Sequence, residues 1–255
     1  MTTATSVTPG ADAIALASRL RTDGGGRTWD TALITVGAVL LLVAGGVAGL
    51  LWAPEDAIQK APQRIFYIHV PTAWVAFLAF FVVFAASIGY LVRGTARWDN
   101  VARSSAEIGL LFTTLALITG AIWGKPVWGV WWQWDPRQTS TLVLWMIYAA
   151  YVMLRSFARS GSLSPRTARA AAVLGIVGFF DVPLIYFSVE WWRNLHPGIV
   201  ILTPEGPKMP AEMLISMLIS LGGMTLMYAA VLLVRVRLGA TADHIEQARA
   251  ALEEG

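Results

Sequence analysis

Cysteine is absent from this 255-residue chain, and the absence closes several chemistries at once. Disulfides, thiolate metal sites, covalent haem attachment through Cys-x-x-Cys-His and thiol–disulfide exchange are all excluded for this chain alone. Charge is scarce as well: Asp, Glu, Lys and Arg make up 14% of the residues against 56% apolar, and the mean hydropathy is +0.60. Such a composition excludes an ordinary soluble domain. No Gly-x4-Gly-Lys-Ser/Thr loop is present, so the chain carries no nucleotide-driven engine of its own.

What the chain has in abundance is apolar length. A helix needs about 20 apolar residues to cross a hydrocarbon core, and six runs of that kind stand out, over 31–52, 70–92, 104–124, 137–157, 168–189 and 210–234. The expected fold is an all-α integral membrane protein with six transmembrane helices. An even number of spans puts both termini on one side. Thirteen of the nineteen Lys and Arg residues lie in the N-terminal tail, the 93–103 and 155–169 loops and the C-terminal tail, so those segments are read as cytoplasmic. The loops 53–69, 125–136 and 190–209 then face outward, which in a bacterium is the periplasmic side of the inner membrane. Three parts follow: a cytoplasmic tail over 1–30, a six-helix membrane domain over 31–234 and a cytoplasmic tail over 235–255. The first apolar run is longer than the apolar core of a cleaved signal and shows no small-residue cleavage site, so an uncleaved first helix is expected.

Five of the twelve tryptophans, Trp123, Trp128, Trp131, Trp132 and Trp134, fall in one outward stretch that runs into Asp135-Pro136-Arg137. Interfacial aromatic belts also gather Trp at headgroup depth, so the question is what else reaches that surface. Two of the three histidines do. His69 lies at the outer mouth of the second span, where Pro71 suits a first helical turn, and His196 lies just beyond the fifth span. His244 sits in the polar C-terminal stretch and is assigned no role. Two imidazoles beside polarisable aromatic planes match what an axially ligated haem requires. Zinc would call for a third or fourth ligand; Glu55, Asp56, Glu190 and Glu205 keep a metal site open but leave the tryptophans unexplained.

Haem brings two carboxylates, whose burial near lipid is costly without donors. The outer cations Arg64, Lys125, Arg137 and Arg193 are candidates, with lipid-phosphate anchoring as the competing role. Arg64 and Arg137 are favoured because each is close in sequence to another candidate haem contact, and guanidinium pairs well with carboxylate. Asp135 is expected to be the N-cap of the fourth span, with Pro136 at the first helical position. Gly124 and Gly129 allow the intervening loop to turn sharply. Asp181, inside the fifth span, is an intramembrane carboxylate beside a helix-kinking Pro183. Glu107 reads as a boundary residue of the third span.

Together the Trp123-Gly-x3-Trp128-Gly-x-Trp131-Trp132-x-Trp134-Asp135-Pro136-Arg137 stretch, the Arg-Ile-Phe-Tyr-Ile-His-Val-Pro segment at 64–71 and the Asp-Val-Pro to Asn-Leu-His-Pro-Gly segment at 181–198 resemble the WWD-motif haem-handling proteins of cytochrome c biogenesis. Within that group the chain resembles the haem exporter C type of the bacterial cytochrome c maturation system. The likeness spans the membrane region, about residues 31–234. It implies that His69 and His196 are axial ligands to haem iron, that the loop around 123–137 is a haem platform, and that Arg64 and Arg137 meet the propionates. It further implies haem b as a transient cargo, and partners: a periplasmic haem chaperone, subunits of an ABC-type transporter and a small single-span subunit, all in membrane lipid and without nucleic acid.

The function expected is therefore not enzymatic. It is the holding of haem at the periplasmic face and its transfer to the chaperone. A permease subunit that moves haem or another small solute is the alternative, for which Asp181 with Pro183 is the only hint of a mid-depth cavity.

Overall fold

The computed structural model describes residues 29–157, 164–192, 196, 198, 200, 201 and 203–253; the side chain of His244 and the residue Arg193 lie outside the described residues. All regular structure among the described residues is helical. We number the helices α1 (Trp29–Trp52), α2 (Phe66–Arg93), α3 (Ala96–Trp128), α4 (Pro136–Phe157), α5 (Pro165–Phe179), α6 (Asp181–Trp191) and α7 (Ala211–Glu253). Five segments are long and apolar enough to cross a membrane: α1, α2 with the short 3₁₀ turn before it, α3, α5 joined to α6, and α7 up to Asp243. The 22 residues of α4 would extend about 33 Å at 1.5 Å per residue, which also matches the thickness of a hydrocarbon core.

Helix ends follow local chemistry. α2 closes on Gly94 in the left-handed conformation, its N–H returning to the Tyr90 carbonyl, and α3 follows almost at once as the most extensive packing partner of α2. Small residues let the two backbones approach, as membrane interfaces require: a Cβ on Gly109 would stand 2.5 Å from Cε1 of Phe80. Phe80 in turn stacks on Tyr148 of α4, with centroids 3.7 Å apart. These two rings join Val83, Ala106, Leu144, Tyr151, Ala171 and Ile185 in the central buried cluster, so α2 to α6 share one core. α1 lies to one side against α7, where Gly45 meets Ser220 and Gly223 meets Leu42.

Several boundaries differ from the apolar runs. α3 continues past residue 124 to Trp128 and carries Pro126 in its final turn, so the segment between α3 and α4 is shorter than expected. α7 does not stop at 234 but runs on to Glu253. The fifth span is broken at Phe180, which separates α5 from α6, three residues before Pro183; the ring of Pro183 removes a backbone donor and crowds the preceding turn. At the opposite end of the bundle from the tryptophans, Arg155 pairs with Asp99 through two bonds of 2.7 and 2.6 Å, and Arg235 pairs with Glu107. Glu107 is thus an ion-pair member that ties α3 to α7.

The α2–α3 contact predicts a graded stability response. Overpacking typically costs about 1–3 kcal/mol, so Gly109→Leu should lower the thermal midpoint of the detergent-purified protein, whereas Gly46→Ala, which meets nothing within 4 Å, should leave it unchanged.

Candidate functional site

The short connection between α3 and α4 is built by its own residues. Gly129 ends α3 in the left-handed conformation (φ 80°), with its N–H returning to the Lys125 carbonyl. The Lys125 ammonium donates to the Gly129 carbonyl at 2.8 Å, so this cation is spent on the helix end. Five residues on, Trp134 also adopts a positive φ of 56°, which is costly for a bulky side chain. Asp135 then begins α4: its Oδ1 accepts the Gln138 backbone N–H at 2.8 Å and its carbonyl accepts from Thr139. This is the N-cap expected from the sequence.

The second oxygen of the same carboxylate has a different partner. His196 Nδ1 lies 2.9 Å from Asp135 Oδ2, with 18% of the histidine side chain and 7% of the aspartate exposed. Burial of Asp135 pushes its carboxyl up, but the hydrogen bonds from His196 and from the Gln138 and Arg137 backbone, with the attraction of His196, outweigh it and leave the pKa below the ordinary value. Trp128 covers the His196 ring at 5.1 Å between centroids, tilted by 54°.

His69, in the first turns of α2, is held by α3. Its Nδ1 lies 3.0 Å from Thr119 Oγ1, Trp123 meets its ring edge-on at 5.6 Å, and Gly120 leaves room for Cε1, which a Cβ there would approach to 3.1 Å. Both histidines line one cavity, together with Phe77, Trp132, Arg137, Gln138 and Ile185. In each ring the Nδ1 side is taken up by the protein, so Nε2 is the nitrogen left for a ligand.

Two more features of this cavity suit an anionic, planar guest. Arg137 places its guanidinium on the cavity wall, where the Asp135 carboxylate attracts it, and the indole N–H of Trp132 is buried with no hydrogen-bond acceptor among the described residues. An unpaired donor of this kind is costly unless something accepts from it.

The other residues singled out in the sequence are distributed differently. Arg64 does not line the cavity: it donates to the Gly49 and Leu50 carbonyls at 2.7 and 2.5 Å, where it finishes the C-terminal turn of α1. The five tryptophans do not form one continuous floor. Trp123 and Trp128 each flank a histidine, and the Trp123 N–H is bound to Gln59 Oε1. Trp132 lines the cavity, while Trp131 and Trp134 point outward at 57% and 69% exposure. The reason is geometric: with α3 extended to Trp128, successive indoles on a helix and on a tight turn cannot share one face. Asp181 does not line the cavity, and its Oδ2 is buried without a hydrogen-bond partner.

Sequence reasoning missed Thr119 and the second role of Asp135. No local signal marks either, because the partners lie 50 and 61 residues away.

The fold and cavity define a class: a multi-pass membrane protein that gathers two histidines, an indole and a guanidinium in one cavity at one end of the bundle. A family model described as Heme exporter protein C matches residues 26–251, and the chain belongs to this family of multi-pass inner-membrane proteins. Proteins of that name from Bradyrhizobium diazoefficiens and Haemophilus influenzae are each 38% identical over 200 residues, which cover 78% of this chain and 75% and 80% of the relatives. A ccmC-like mitochondrial protein of cytochrome c biosynthesis from Marchantia polymorpha is 36% identical over 166 residues, 65% of this chain and 69% of the relative.

The double role of Asp135 predicts a pH-dependent stability. A depressed carboxyl contributes stability that is present above its unfolded value, near 3.8, and lost as pH falls through the folded value. The thermal midpoint of Asp135→Ala should fall below wild type at pH 6, by the equivalent of about 1 kcal/mol for the cap alone; the gap should narrow as the pH falls through the depressed folded-state value of the carboxyl.

Proposed function

We propose that this chain holds haem at the periplasmic face of the inner membrane during cytochrome c maturation and delivers it to a periplasmic haem chaperone. The observation that carries the reading is the convergence of His69 and His196, from elements far apart in sequence, on one cavity whose wall also carries Arg137 and the buried indole N–H of Trp132, which has no acceptor among the described residues. The names of the relatives, with their reference to haem export and to cytochrome c biosynthesis, agree with it. α4 counts as the sixth span in this reading. Both termini and the Arg-rich ends of α3, α4, α5 and α7 then face the cytoplasm, and the Trp-rich turn faces the periplasm.

In this role haem b is cargo, not a resident group. His69 and His196 are its axial ligands, each through Nε2. Arg137 pairs with a propionate, with Trp132 as a further donor at the cavity wall, and Trp123 and Trp128 hold the imidazoles in place. Trp131 and Trp134, exposed beside the cavity, form the open edge through which cargo passes to the acceptor. Arg64 serves this site indirectly by fixing the end of α1. ABC-type transporter subunits and a small single-span subunit complete the assembly, and this chain is its delivery component, without catalysis of its own.

The permease alternative rests on Asp181 at the break between α5 and α6. Asp181 does not line the histidine cavity, whereas the buried indole N–H of Trp132 does, which favours holding over conduction.

The direct test is haem co-purification and chaperone loading. His69→Ala and His196→Ala should each abolish or greatly reduce both, and Arg137→Ala should weaken haem retention while Arg64→Ala spares it. Unchanged loading in both histidine variants would refute the assignment.

A further inference from the structure

The groups behind the two histidines differ in kind. Thr119, in the apolar part of α3, donates its hydroxyl proton to the Leu115 carbonyl at 2.8 Å, with the Ala116 carbonyl farther off at 3.3 Å. A hydroxyl has one proton to give. With that proton on the helix backbone, the oxygen faces His69 Nδ1 at 3.0 Å as an acceptor, which puts the imidazole proton on Nδ1 and a lone pair on Nε2. Gly120 and Trp123, one and four residues further along the same helix, fix the ring from its edge and face. His196 has an anion in the equivalent place: Asp135 Oδ2 accepts from Nδ1 while Oδ1 is pinned by the Gln138 N–H. A carboxylate draws that proton more strongly than a neutral hydroxyl does, and the opposite nitrogen becomes the more basic ligand.

We infer that Thr119 is the positioning residue for His69, and that the two axial donors are unequal by construction, His196 anion-backed and strong, His69 hydroxyl-backed and weak. This rests on the haem reading above and deepens it. Equal, strong ligation from both sides would favour retention; a carrier needs one bond that keeps the cargo in register and one that yields readily to an incoming ligand. The Thr119 side supplies the second kind. The geometry also explains why a β-branched polar residue occupies an otherwise apolar stretch of α3, since its side chain meets both its own helix backbone and the histidine of α2.

The test is a titration of ferric hemin into the full-length, detergent-purified protein, read by affinity, by the visible and electron paramagnetic resonance spin state, and by the reduction potential. Thr119→Val should weaken hemin binding about 10–100-fold, the usual effect of removing a group that orients a metal ligand, and convert part of the low-spin signal to high-spin. Thr119→Ser should restore both, and Thr119→Ala serves in place of the valine variant if that protein is not recovered. Asp135→Asn keeps a good helix cap and an acceptor for Nδ1–H but removes the charge; it should stay low-spin with a reduction potential above wild type. Wild-type affinity and spin state in Thr119→Val, or an unshifted potential in Asp135→Asn, would overturn the inference. His69→Ala in the same titration separates the two levels: if it too binds hemin as wild type does, the ligand assignment itself fails, and if it alone loses binding, only the role of Thr119 fails.

Discussion

The arrangement depends on one carboxylate. Asp135 uses one oxygen to start α4 and the other to hold His196, so the helix that carries Arg137 and a candidate iron ligand are tied to the same group. A capping bond contributes only about 1 kcal/mol, yet here it sets geometry as well as stability. If the cap were lost, the first turn of α4 would fray, and Arg137, Gln138 and the His196 anchor would lose their common reference. The strained backbone at Trp134, immediately before the cap, is tolerated because the residues on either side are held.

The opposing wall is set by packing. α2 and α3 approach closely through small residues, with Gly109 against Phe80 and Gly120 against His69, and the depth of His69 in the bundle follows from that fit. One histidine is thus placed by a close helix–helix contact and the other by an ion-supported hydrogen bond at a helix end. They converge on a cavity whose wall also carries the Arg137 guanidinium and an indole N–H, that of Trp132, without an acceptor among the described residues, polar groups suited to an anionic guest.

Much of this was legible in the sequence, and the parts that were not share a cause. Apolar run length announced the helices, and residue type announced His69, His196, Arg137 and the Asp135 cap, because each of these signals is local. The ends of α3 and α7 were only partly legible: α3 continues to Trp128 although Pro126 removes a backbone donor from its final turn, and α7 carries on through the polar stretch after residue 234 to Glu253. The spread of the tryptophans was not legible, since a helical turn and a tight loop send neighbouring indoles in different directions. Thr119, Arg64 and the second bond of Asp135 depend on partners 14 to 61 residues away, which no spacing rule reveals.

The central claim is that one haem iron is bound by two imidazoles of this chain. Electron–nuclear double resonance on the ferric haem complex of the purified protein, prepared with ¹⁵N-labelled histidine, addresses it most directly. The account predicts labelled nitrogen couplings from two histidines on a single low-spin iron, with slightly different magnitudes; coupling to one histidine, or to none, would contradict it.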